Sequence, residues 1–282
     1  MLLLAILFAL PMGLLVGLLG GGGSILTLPV LVYVLGLGTK EAIATSLVVV
    51  GLTSAVGAVQ YARAGNVRFS AGLYFGGFAM LGAYLGGILA GYLPGQILML
   101  LFAGLMVVVA IAMVRPGKLA NTGSHPSRPA AIVVEGLAVG ALTGLVGAGG
   151  GFVVVPTLVL LAGMPMRAAI GTSLFIITLN SFAGLLGHLD HVSVDLALAL
   201  AIAVPAILGS FVGACLSRRV GPDRLRRGFA YFVLAMAVFM IGKNAPMAAL
   251  AALVVAYWPA ACAVASALVV AISSLLVLRH DG

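Results

Sequence analysis

Two stretches decide the fold: residues 17–29, GLLGGGGSILTLP, and residues 144–156, GLVGAGGGFVVVP. Each closes one apolar run on contiguous small residues and opens a second, short run that carries an early proline. Sliding the chain on itself until Gly13 falls on Gly140 matches positions 13–57 with 140–184 at 19 of 45 places without a gap. The identities include Gly17/Gly144, Gly20/Gly147, Gly22/Gly149, Gly23/Gly150, Pro29/Pro156, and the run Thr45-Ser46-Leu47 against Thr172-Ser173-Leu174. Farther along, Gly82 and Gly86 answer Gly209 and Gly213. The chain is therefore a duplication.

Its solvent follows from composition. Of 282 residues, 63% are hydrophobic and only 7% charged, where a soluble domain carries about 25% charged residues. No water-soluble shape of this size hides so much apolar surface, which leaves an all-helical polytopic membrane protein. Apolar runs predict helices at 1–20, 24–37, 40–62, 69–92, 96–114, 131–147, 152–163, 166–189, 194–217, 224–242 and 246–278. Segments 24–37 and 152–163 are too short to span, because a crossing needs about 20 residues. The organisation is a first repeat at 1–114, a polar cytoplasmic linker at 115–130, a second repeat at 131–242, and an added C-terminal helix within 243–282. Cys215 and Cys262 sit in apolar runs without ligand spacing, so packing roles are expected and no metal site.

The charges relate the two halves. In the first, the loop at 63–68 carries Arg63 and Arg68 while the loop around Pro94 carries none. In the second, the loop at 190–195 holds Asp190 and Asp195, and the following one holds Arg218, Arg219, Arg224, Arg226 and Arg227. Because basic loops stay cytoplasmic, the halves are expected in opposite orientations, as inverted repeats. Each would be a glycine-broken helix hairpin followed by three spans. The N-terminus is then outside and the C-terminus cytoplasmic, with Lys40 and Lys243 the two basic residues left outside. The net charge of +8 thus reports topology and contact with anionic lipid, not nucleic-acid binding.

The candidate site is built on the glycine blocks. Gly20, Gly21, Gly22, Gly23 and Ser24 end one helix and open another, as do Gly147, Ala148, Gly149, Gly150 and Gly151. Backbone N–H groups left without partners at membrane depth need protein or water. A helix start offers free donors and the positive end of its dipole, an anion site without a charged side chain. Two such ends are expected to face each other and enclose an anion near mid-depth; the alternative is that the glycines only permit close packing. Ser46, Thr53 and Gln60 recur every seven residues and form a polar seam, repeated by Ser173 and Asn180. Together with Thr45 and Thr172, these are candidate anion ligands; their other reading is interhelical hydrogen bonding, which we prefer for Ser54 and Ser181. Lys40 and Arg167, equivalent under the repeat, could draw an anion into opposite vestibules or simply cap helix ends. His188 and His191 lie near Asp190 and Asp195, where proton coupling competes with an ordinary solvated loop.

The doubled pattern G-x-x-x-G-L-x-G-x-G-G-[SG]-φ-φ-x-φ-P, each copy followed by A-[IL]-[AG]-T-S-L, resembles the TauE/SafE family of membrane anion permeases, the sulfite exporters. The resemblance covers about residues 5–242, with Ala148 standing where the first copy has Gly21. It implies an inner-membrane transporter of sulfur-containing anions such as sulfite or sulfoacetate, with export the expected direction. No nucleotide-binding motif is present, so an ion gradient, of which the proton is one candidate, would drive alternating access, and no cofactor is expected. Two rivals are an intramembrane enzyme using Ser24 and His188, opposed by the lack of an acid at membrane depth to orient the histidine, and a passive anion channel.

Overall fold

A computed structural model of the chain describes residues 2–20, 24–114, 129–147, 150–160, 163–189, 192, 194–217 and 219–244. The expected added helix at 246–278, most of the 115–130 linker, Cys262, His191 and Asp190 fall outside the described residues.

The described residues form helices and no strands. They are α1 (Leu2–Leu19), α2 (Ser24–Tyr33), α3 (Thr39–Arg63), α4 (Phe69–Tyr92), α5 (Gly95–Val114), α6 (Pro129–Val146), α7 (Gly151–Leu160), α8 (Met166–His188), α9 (Leu196–Ser217) and α10 (Pro222–Asn244). Five helical stretches among them are long and apolar enough to cross a membrane: Thr39–Arg63, Phe69–Tyr92, Met166–His188, Leu196–Ser217 and Asp223–Lys243. Shorter apolar stretches lie at Leu7–Leu19, Gly95–Ile111 and Val133–Val146. α2 stops earlier than expected, at Tyr33, where Gly36 at φ +72 lets the Leu35 and Leu37 amides turn back to the carbonyls of Val30 and Leu31 and close the helix; α2 and α7 each hold an internal proline, Pro29 and Pro156.

Apolarity makes these segments helical, but small residues decide who packs on whom. α1 lies along α9: a Cβ on Gly13 would strike the Ala206 carbonyl, one on Gly17 that of Ser210, and one on Gly213 that of Leu14. α6 lies along α4 by contacts at the repeat-equivalent positions: Gly140 on Ala79, Gly144 on Ala83, Gly86 on Ala141. Backbones approach this closely only where no side chain intervenes, and in lipid such contacts replace the hydrophobic effect as the force between helices. α5 packs against α10, and α3 against α8. Each partnership joins the first half of the chain to the second, so neither half is a separate globule.

α3 and α8 are the most buried of the long helices. They run antiparallel: Gly57 abuts Leu174, Gly51 abuts Ser181, and Gly184 abuts Leu47. Outward faces of α4 and α9 carry Leu73, Leu81, Leu85, Leu200, Val204 and Leu208 exposed, as a lipid-facing surface should. Cys215 corrects the packing expectation, because it is exposed on α9.

Candidate functional site

Gly20 ends α1 at φ +67 and Gly147 ends α6 at φ +69, the left-handed conformation that closes a helix and that glycine adopts without steric cost. Their N–H groups still reach back to Val16 (2.9 Å) and Thr143 (3.0 Å). Ile170 packs on Gly20 and its repeat equivalent, Ile43, packs on Gly147. The carbonyls are taken by serines of the opposite half. Ser173 Oγ lies 2.8 Å from the Gly20 oxygen and 2.8 Å from that of Ile170. Ser46 Oγ likewise bridges the carbonyls of Gly147 and Ile43. Each helix-ending glycine is thus fastened to the central helix of the other half. Gly150, at φ +80, starts α7 and accepts from the amides of Val153 and Val154, both at 2.9 Å. Gly151 is buried. Gly21, Gly22, Gly23, Ala148 and Gly149 lie outside the described residues.

The expectation that the two glycine turns face each other is corrected by the α3–α8 register. Ser173 stands opposite about residue 58 of α3, so the turn at Gly20 and the turn at Gly147 are separated along the helix axis by about 12 residues, or ~18 Å. They flank mid-depth instead of meeting there. The reason is length: α1 and α6 run on past the centre before they break.

The remaining predicted ligands divide by what they hold. Thr53 donates to Val49 of its own helix at 2.7 Å. Thr172 Oγ1 accepts from the Arg68 amide at 3.0 Å and so ties the start of α4 to α8. Thr45, Ser54, Ser181 and Asn180 are buried with side-chain polar atoms that meet no hydrogen-bond partner among the described residues. Lys40 donates to the Gly91 carbonyl in the last turn of α4, where a cation complements the helix dipole. Asp195 accepts from the amides of Ala197 (2.9 Å) and Leu198 (3.1 Å) and caps α9.

Arg167 lines a cavity of about 260 Å³ together with Gln60, Tyr61, Ala64, Asn66, Ala214 and Ser217. At about 30 Å³ per water, that is room for about eight or nine. Sequence reasoning did not foresee Tyr61 and Ser217. Tyr61 donates to the Gly17 carbonyl at 2.9 Å and lies 2.7 Å from the Ser217 hydroxyl, which ties α3 to α1 and α9 at the depth of the Gly20 turn. The available signal was that Tyr61 is the repeat equivalent of His188.

Around His188, among the described residues, the helices pack closely. His188 is 2% exposed, its Nδ1 is 2.9 Å from the Gly184 carbonyl, and Gly87 of α4 presses against both residues. Gly187 in turn meets the backbone of Tyr84 and Ile88. So α4 closes on α8 at one end of the bundle, while α9 and α3 leave room at the other.

Of the expected enzyme pair, His188 lies about 15 residues past Ser173 on α8, or about 22 Å, and the side chain of Ser24 falls outside what the structure describes. Glu135 is half-buried within the apolar stretch Val133–Val146. Its neighbour Gly136 packs on Phe75, at the end of α4 away from His188. Among the described residues no cluster of His, Cys, Asp or Glu could hold a metal ion.

Comparison with known proteins finds relatives among membrane transporters. The family described as "Sulfite exporter TauE/SafE" matches residues 4–240. A probable membrane transporter protein of Xylella fastidiosa is 34% identical over 239 residues, covering 82% of this chain and 92% of the relative. One from Methanocaldococcus jannaschii is 28% identical over 253 residues, 84% and 94% of the two chains. A third, from Bacillus subtilis, is 29% identical over 219 residues, 76% and 89% of the two. No solved structure matches.

Proposed function

Because the chain belongs to the TauE/SafE sulfite exporter family, a family of membrane transporters, we propose that it is a secondary transporter of a small sulfur-containing anion, sulfite or a sulfonate such as sulfoacetate. Two inverted repeats in the inner membrane would expose the anion alternately to either side, with export as the working direction.

The observation that supports this best is the one-sided cavity. A solute entering beside Arg167 and Gln60 arrives at the depth of the Gly20 turn and the start of α2, whose free amides suit an anion. At the equivalent place in the other half, α4 is closed on α8 around His188. A duplicated bundle open at one end and shut at the other has the asymmetry a carrier needs, since reversing the two arrangements carries the solute across. A channel would need both ends open together. Contacts that recur at repeat-equivalent positions, and the antiparallel run of α3 and α8, support the inverted relation.

The decisive measurement is uptake into liposomes containing the purified protein. Sulfite or a sulfonate trapped inside should drive counterflow of labelled anion against its own gradient, which a passive channel cannot do. Absence of binding and of flux with sulfite, thiosulfate, sulfoacetate and taurine would refute the reading.

A further inference from the structure

The geometry points to Asn180 as the residue that selects the solute, and to a solute carrying a hydrogen-bond donor beside a single negative charge. This rests on the transporter reading and narrows its substrate class. By register Asn180 stands opposite about residue 51 of α3, between the depths of the two glycine turns. It shares its seam with Ser173, about seven residues or ~10 Å away. It is 1% exposed, and neither its Oδ1 nor its Nδ2 has a hydrogen-bond partner among the described residues.

A primary amide offers two donors and an acceptor. Burying any one of them unpaired costs about 1–3 kcal/mol, and leucine would occupy similar space without that cost. Of the polar side chains close to the turns, Ser46, Ser173 and Tyr61 hold backbone carbonyls and Thr53, the repeat equivalent of Asn180, is bonded within its own helix; Thr45, Ser54 and Ser181 also lack a partner, but each leaves a single hydroxyl unpaired where Asn180 leaves both an amide oxygen and an amide nitrogen. Asn180 holds no other described residue, so structural cement does not account for it.

The charge environment limits what it can meet. On α2, α3, α7 and α8 the Lys and Arg residues are Lys40, Arg63 and Arg167, all at helix ends, so none of these helices brings a cation to the depth of Asn180 to offset a dianion. An acceptor-only solute would pair with the NH₂ and leave the amide oxygen facing lone pairs. A monoanion that also bears an O–H, such as a hydroxylated sulfonate or a protonated inorganic oxyanion, pairs with both.

The test is a matched pair of monoanions one oxygen apart, 2-hydroxyethanesulfonate and ethanesulfonate. Their dissociation constants on the full-length protein in detergent come from thermal-shift titration, and their relative flux from competition in liposomes. The wild type should hold the hydroxylated anion about five- to tenfold more tightly, the value of one net hydrogen bond. Asn180→Leu should bind the two alike while melting no lower than wild type, an outcome that a purely structural asparagine would not produce. Asn180→Ser, which keeps a small acceptor for the solute hydroxyl, should retain part of the preference and serves if the leucine variant does not fold. Equal affinities in the wild type, or a preference that survives in Asn180→Leu, would overturn the inference while leaving transport intact. If sulfite and both sulfonates neither bind nor move, the transporter reading falls and this one with it.

Discussion

Gly147 shows how much of this fold rests on single atoms. Its φ of +69 disfavours any side chain, and a Cβ there would lie 2.8 Å from Cβ of Ile43 and 3.0 Å from its Cα. Left-handed backbone alone costs a residue with a Cβ about 1–2 kcal/mol, and the overlap with Ile43 adds to it. Gly147→Ala is therefore expected to lower stability by at least ~2 kcal/mol, visible as a melting temperature several degrees lower in detergent. Adding Ile43→Ala should recover the part due to overlap and leave the part due to φ. No recovery would mean that Ile43 is not what the glycine makes room for. The glycine block advertised a helix break in the sequence. What it could not advertise was the serine of the other half that holds each broken end, because that contact joins residues 101 or 153 positions apart.

At the scale of elements, the informative pair is α4 and α8. They run side by side, Gly72 near Thr172 and Phe175, Gly76 near Ile176 and Leu179, Gly87 near Gly184 and Gly187. If transport alternates the two ends of the bundle, α4 must shift against α8. A Cβ on Gly76 lies 3.5 Å from Cγ1 and 3.9 Å from Cα of Ile176, close enough to place a cysteine pair between the two helices. With the native cysteines replaced, Gly76→Cys combined with Ile176→Cys should arrest flux under oxidation and recover it on reduction. Undiminished flux in the fully cross-linked protein would show that α4 and α8 travel as one body. Helix positions and the short α2 and α7 were legible from apolar runs, glycine and proline. The swapped partners, α1 on α9 and α6 on α4, were not, since small residues say that something packs closely and not what.

For the whole molecule the question is orientation. On the swapped charge bias of the two halves, Asn66, which lines the cavity, is expected on the cytoplasmic side and Asp195 outside. In a background of Cys215→Ser and Cys262→Ser, a membrane-impermeant maleimide added to intact cells should label Asp195→Cys and spare Asn66→Cys until the cells are opened. The reverse pattern would invert the topology, and with it the side to which the cavity opens.

Composition and short-range pattern were enough for the lipid solvent, the duplication, the two broken helices and the family, because each is written in neighbouring residues or in their totals. Packing alone fixed that the glycine turns stand ~18 Å apart instead of meeting, that Lys40 is tied to the end of α4, and that Arg167 borders the open space. Those outcomes depend on how far α1 and α6 run before breaking and on the register of α3 against α8. Register is set by the summed close contacts of two helices, a property of the pair that neither segment holds alone.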